Sequence, residues 1–181
     1  MVQLNGAGNT FTTGVTYSGE ILRGFGEAYG STVEQFPVPA FFDDPSAKET
    51  LWRERSTRRI LDIQSSMDVA LFGLGASNSE VPSQVYTAGY LSPDDQKSLN
   101  EGGIVGDIAT VFYRADGSSD GIALNNRSTG PSLDVIRAVP RKICVIAGPS
   151  RLPSLKGALA GKYISDLIID DGTAAALLEE N

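Results

Sequence analysis

Ile164-Ser165-Asp166-Leu167-Ile168-Ile169-Asp170-Asp171-Gly172-Thr173-Ala174 reads as a strand running straight into a helix. The run from Ile164 to Ile169 is β-rich and apolar. Asp170 or Asp171 then supplies the carboxylate that caps a helix over Gly172 to Leu178. Upstream, Leu152 to Leu159 has the character of a short helix stopped by Gly161, and Ile143 to Ala147 that of another buried strand. Strand, helix, strand, helix in that order predicts a parallel sheet covered by its own crossovers.

The same alternation continues towards the N-terminus. Short apolar runs recur at Val2 to Leu4, Val33 to Val38, Val69 to Leu74 and Ile104 to Tyr113. Between them, Gly14 to Ala28 places Ile21, Leu22, Phe25 and Ala28 at helical spacing, and Leu51 to Ile63 does likewise. A further helix is announced by Ser92 as cap, Pro93 at its first position and Asp94 and Asp95 at the positive dipole end, with Gly102-Gly103 as its stop. No repeat or linker divides the chain, so residues 1–181 read as one α/β domain with a mostly parallel, Rossmann-like sheet and helices on both faces.

Composition narrows the function. The 181 residues are 41% hydrophobic, and 15 basic against 22 acidic side chains give a net charge of −7. That charge opposes the counterion release that drives nucleic-acid binding, so direct DNA contact by this chain is not expected. There is no histidine, which excludes imidazole bases, His-ligated zinc and Ser-His-Asp chemistry. The single cysteine, Cys144, lies in an apolar run and points to a core role in a reducing compartment. No stretch approaches a membrane span or a signal core, which fits a cytoplasmic protein.

Ligands of open parallel sheets bind beyond the carboxyl ends of the strands. Gly6, Ala7, Gly8 and Asn9 follow the first apolar run, where exposed N–H groups suit a phosphate or sugar oxygen, although the pattern alone favours ordinary turn glycines. Gly73 and Gly75 permit close approach of a ligand or of a neighbouring segment. Asp107 is a carboxylate in an apolar stretch and needs a partner, either an ion pair, backbone donors or sugar hydroxyls. Arg151, after Gly148-Pro149-Ser150, stands at a helix start and suits an anion, though a loop arginine is commonly just solvated. Asp107 and Arg151 both follow strands, so they are expected to converge on one cleft. The arginines at 53, 55, 58 and 59 read as a solvated helix face, and Phe41-Phe42 as core.

Taken together, Val2-Gln3-Leu4-Asn5-Gly6, Phe72-Gly73-Leu74-Gly75, Ala88-Gly89-Tyr90-Leu91-Ser92, Gly102-Gly103-Ile104-Val105-Gly106-Asp107-Ile108, Ala115-Asp116-Gly117 and the closing strand–helix stretch resemble the sugar-binding domain of the SorC family of bacterial transcriptional regulators, related to DeoR-type repressors. The resemblance implies a fold similar to ribose-5-phosphate isomerase and glucosamine-6-phosphate deaminase, a phosphorylated sugar as effector, self-association, and no cofactor. It places a ligand-contacting carboxylate at Asp107 and a phosphate-contacting cation at Arg151, where the family carries lysine. Thr87 stands at another basic position of the family, so a monophosphate is expected rather than a bisphosphate. Family members carry a helix-turn-helix and an opening βα portion ahead of the point matching Met1, so the resemblance implies that this chain lacks both. The rival reading is a sugar-phosphate isomerase or deaminase with Asp107 or Asp116 as general base.

Overall fold

The computed structural model describes residues 1–13, 15–76, 83–87 and 89–179. Gly14 and Ala88, on which two of the sequence patterns touch, lie outside them. Among the described residues the order is α1 (Val15–Tyr29), α2 (Pro45–Leu51), α3 (Arg55–Ser65), β1 (Val69–Phe72), α4 (Gln84–Thr87), α5 (Pro93–Glu101), β2 (Ile104–Ile108), β3 (Val111–Arg114), α6 (Leu133–Ala138), β4 (Arg141–Ile146), α7 (Leu152–Ala160), β5 (Asp166–Ile169) and α8 (Asp171–Glu179). The α/β expectation holds: β1, β4 and β5 form a parallel sheet in the order β1-β4-β5, flanked by helices.

The helix signals act as their chemistry dictates. Ser92 Oγ accepts from Asp95 N at 3.1 Å while the Asp95 carboxylate accepts from Ser92 N at 3.0 Å, so α5 opens on a reciprocal capping box. Asp170 caps α8 by accepting from Thr173 N at 2.9 Å, and it also accepts from Gly148 N at 3.1 Å. One carboxylate thus starts a helix and ties it to the end of β4. These bonds hold Asp170 down at a pKa of about 2, the Thr173 hydroxyl contributing most.

Three elements differ from expectation. The run Ile104 to Tyr113 is a tight antiparallel hairpin, because Ala109 and Thr110 both adopt left-handed backbone with φ of 47° and 70°. The helix expected over Leu51 to Ile63 is two: α2 starts earlier, at Pro45, on an Asp44 cap, and Glu54 in extended backbone separates it from α3. Val2 to Leu4 and Val33 to Val38 meet only in an isolated bridge, Val2 to Glu34, with a second, Gly8 to Pro39, just beyond both runs, since Pro37 and Pro39 have no N–H to extend a ladder. Phe41 stacks on Phe112 and Phe42 meets the edge of Trp52, as core packing requires.

The main core gathers Ala70 and Phe72 of β1, Cys144 and Ile146 of β4, and Leu152, Leu155 and Ala158 of α7 around Tyr113 and Tyr163. Burial pushes the Cys144 thiol up to about 12, so it serves as core and not as a nucleophile. By the two-residue alternation of strands, Val69, Leu71, Val145 and Ile168 point to the opposite face and are exposed. No helix of the described residues is long and apolar enough to cross a membrane.

Candidate functional site at the end of the first strand

After β1 the chain passes through Gly73 and Leu74 to Gly75, which pairs antiparallel with Asp107 of β2. Gly75 N donates to Asp107 O at 2.9 Å, and Asp107 N donates back to Gly75 O at 3.4 Å. The Asp107 carboxylate folds over the Gly75 Cα so closely that a Cβ there would lie 1.6 Å from Oδ1. Glycine at 75 is therefore a condition for seating Asp107. Gly106 answers the same demand one residue earlier, where a Cβ would lie 2.1 Å from Ser154 Oγ. Ser154 is itself buried, donates to Gly75 O at 2.7 Å and pairs with the Tyr113 hydroxyl at 2.8 Å. Strand end, hairpin and α7 are in this way pinned at one point.

Asp107 is only 6% exposed. Its Oδ2 accepts from Thr110 N at 3.1 Å, so the side chain closes the hairpin turn. Its Oδ1 has no hydrogen-bond partner among the described residues. Burial raises the carboxyl to about 6, against the lowering effects of the Thr110 N–H and of the Arg151 charge. Arg151 follows Pro149 and Ser150 in a 3-10 turn that leads into α7, and its Nη1 donates to Leu74 O at 3.0 Å and to Ser83 Oγ at 3.1 Å. The two charged residues therefore converge on Leu74–Gly75 and sense each other through space. No salt bridge joins Asp107 directly to Arg151. Arg151 has structural duties as well, clipping the loop after β1.

The other candidates separate. Gly73 is exposed and its nearest neighbour to a Cβ is Val145 O at 3.4 Å, so nothing there demands glycine. At Gly6 a Cβ would meet Val38 O at 2.2 Å and Pro39 O at 2.3 Å, while its N–H donates to Thr129 Oγ1 at 3.0 Å. Ala7 O accepts from the Tyr90 hydroxyl at 3.0 Å, Gly8 O from Ala40 N at 2.9 Å, and Asn9 Oδ1 from Phe11 N and Thr12 N at 2.8 and 2.7 Å. Asn9 N is also taken, by Thr12 O at 2.9 Å. Of the turn Gly6, Ala7, Gly8 and Asn9 expected to offer N–H groups to an anion, the Gly6 and Asn9 N–H groups are thus already taken by protein acceptors. No hydrogen bond joins this turn to Asp107 or Arg151 among the described residues.

Sequence reasoning missed three contributors: Thr110, Ser83 and Ser154. Only Ser154, a small polar residue in the first turn of a predicted helix, carried any hint. Asp116, the alternative base, is exposed and held below the usual carboxylate range by Ser118. Two open clefts lie elsewhere among the described residues, one along Arg55, Arg59 and Asp62, the other between Trp52, Asn125 and Asp134. Concavity alone favours them, but the buried polar side chains of the second, Gln64 and Thr129, are hydrogen-bonded within the protein, whereas Asp107 carries a buried oxygen with no partner among the described residues. No cluster of three metal-ligating side chains occurs among the described residues.

Comparison with known proteins agrees with the fold. Residues 1–179 match the family model described as "Putative sugar-binding domain". The chain is 34% identical over 180 residues to the deoxyribonucleoside regulator of Bacillus subtilis (strain 168), covering 99% of this chain and 56% of that protein. A solved domain of "a possible sugar-binding transcriptional regulator" from Arthrobacter aurescens TC1 is 54% identical with a TM-score of 0.91, covering 98% of this chain and 67% of that one. The full-length sorbitol operon regulator SorC of Klebsiella pneumoniae shares the fold, at 22% identity and a TM-score of 0.84, over 98% of this chain and 57% of that one. The chain spans little more than half the length of the Bacillus relative. It belongs to the family of sugar-binding domains found in SorC- and DeoR-type transcriptional regulators.

Proposed function

We propose that this domain senses a phosphorylated sugar at the junction of Leu74–Gly75, Asp107 and Arg151 and performs no catalysis. The observation that carries the reading is the buried, unpaired Oδ1 of Asp107 at a strand end. An orphaned acceptor in low dielectric is costly to keep, by about 1–3 kcal/mol, unless something else completes it. A sugar hydroxyl donates to that oxygen, and the guanidinium of Arg151 attracts the phosphate. The absence of the additional basic side chain at Thr87 favours a monophosphate.

In the intact regulator, effector binding biases the arrangement of subunits, and a separate helix-turn-helix segment reports that bias to DNA. The net charge of −7 fits a domain that does not touch DNA itself. The relatives are named as transcriptional regulators, which supports a cytoplasmic role, and self-association of the subunits belongs to the same proposal. A thermal-shift panel with ribose 5-phosphate, 2-deoxyribose 5-phosphate, glucose 6-phosphate and fructose 6-phosphate tests the reading. Stabilisation without turnover by at least one of them is expected, and conversion of the sugar phosphate would contradict it.

A further inference from the structure

Three buried side-chain polar atoms lack a hydrogen-bond partner among the described residues: Ser31 Oγ, Tyr86 OH and Asp107 Oδ1. Two of the three share one neighbourhood. The β2–β3 register sets Asp107 opposite Phe112, so both side chains leave the hairpin on the same face. The Tyr86 ring packs on Phe112 edge to face, with centroids 6.1 Å apart at 71°. Tyr86 thereby rides on the cross-strand neighbour of Asp107, and the Asp107 charge bears on its hydroxyl. Yet the two oxygens are not bonded to each other.

We infer that the Tyr86 hydroxyl and Asp107 Oδ1 form one subsite that receives a single neutral hydroxyl group of the carbohydrate. The inference rests on the sensing role proposed above and adds a residue that reads the sugar. The chemistry selects the guest. A phosphate would accept from the phenol but be repelled by the carboxylate, and an ammonium group would suit the carboxylate but leave the phenol proton without an acceptor. A hydroxyl does both at once, donating to Asp107 and accepting from Tyr86. Burial and the neighbouring carboxylate raise the Tyr86 pKa, so the phenol keeps its proton to donate. The phosphate end of the ligand is then left to the Arg151 side, and Tyr86 becomes a determinant of which hydroxyl-bearing carbon is recognised.

Tyr86→Phe tests this in the whole chain, because it deletes one oxygen and keeps the ring on Phe112. Melting temperature is measured without ligand and with ribose 5-phosphate, 2-deoxyribose 5-phosphate, glucose 6-phosphate, fructose 6-phosphate and, as a control, inorganic phosphate. The ligand-free variant should melt at or above the wild-type temperature, since the lost hydroxyl had no partner. Its apparent affinity for the most stabilising sugar phosphate should fall about tenfold, one hydrogen bond's worth. In Tyr86→Phe/Asp107→Asn the loss should be smaller than the product of the single losses, because both contacts address one hydroxyl. A ligand-free melting temperature lowered by several degrees would overturn the inference by revealing a structural bond. A stabilised wild type with an equally stabilised Tyr86→Phe would overturn it alone, and a wild type unmoved by every sugar phosphate would overturn the sensing role with it.

Discussion

Gly6 and Gly75 each stand after a β-type segment, each where a side chain has no room, and their surroundings differ in how the polar groups are paired. Around Gly6, the N–H of Gly6, the carbonyls of Ala7 and Gly8 and the amide oxygen of Asn9 all bond to protein. Around Gly75, the packing is as tight, but one carboxylate oxygen is left over. Those groups of the first turn are paired within the protein, and at the second one oxygen is not. Glycine therefore marks close approach in both places, and the balance of donors and acceptors is what separates the two turns.

Replacing Gly6 by alanine breaks the comparison most forcefully. The new Cβ meets two backbone carbonyls at 2.2 and 2.3 Å, neither of which swings aside like a side chain. Gly6→Ala should destabilise by about 3 kcal/mol or more, read as a large fall in the denaturation midpoint. Gly75→Ala should cost less, about 1–3 kcal/mol, because the obstacle is a side chain that can turn away. It should nevertheless abolish sugar-phosphate stabilisation, since turning Asp107 away dismantles the site. Gly73→Ala, whose new Cβ makes only an ordinary contact with Val145 O at 3.4 Å, should change stability by less than about 0.5 kcal/mol and leave sugar-phosphate stabilisation in place.

Asp107→Asn sharpens the contrast through pH. Folding raises the carboxyl from its ordinary value of 3.8 to about 6, so the folded state holds this proton more tightly than the unfolded one. The stabilisation tied to that proton is complete below pH ~4 and is lost as the pH rises through ~6, a difference on the order of 1–3 kcal/mol. The wild type should therefore lose stability relative to Asp107→Asn between pH 4 and 6 in chemical denaturation at a series of pH values. Parallel curves across that window would contradict the burial of an unpaired carboxylate. Arg151→Ala should cost the ligand-free protein only about 1 kcal/mol for the lost bonds to Leu74 and Ser83, with sugar-phosphate stabilisation lost.

What could be read in the chain follows the same division between local and distant causes. Helix α5 is written into Ser92, Pro93 and Asp95, which act within one turn, and the β5–α8 unit into Asp170 and Thr173. The convergence of Asp107 and Arg151 was legible because both lie just beyond or within strand-forming runs. The hairpin was not, since Ala109 and Thr110 have none of the residue types that usually signal left-handed backbone. Nor was Tyr86, whose place depends on packing against Phe112, or the fate of Gly6, which depends on carbonyls more than thirty residues away. Proline at 37 and 39, visible in the sequence, was underweighted as a limit on strand pairing.

The central claim is that the spare oxygen of Asp107 is completed by a ligand hydroxyl. The direct measurement is the Asp107 side-chain carboxyl carbon followed by NMR across pH, with and without the sugar phosphate that most raises the melting temperature. The account predicts titration near 6 in the ligand-free protein and at a clearly lower pH once a hydroxyl donates to the anion. Titration near 4 without ligand, or a midpoint that ligand leaves unmoved, would contradict it.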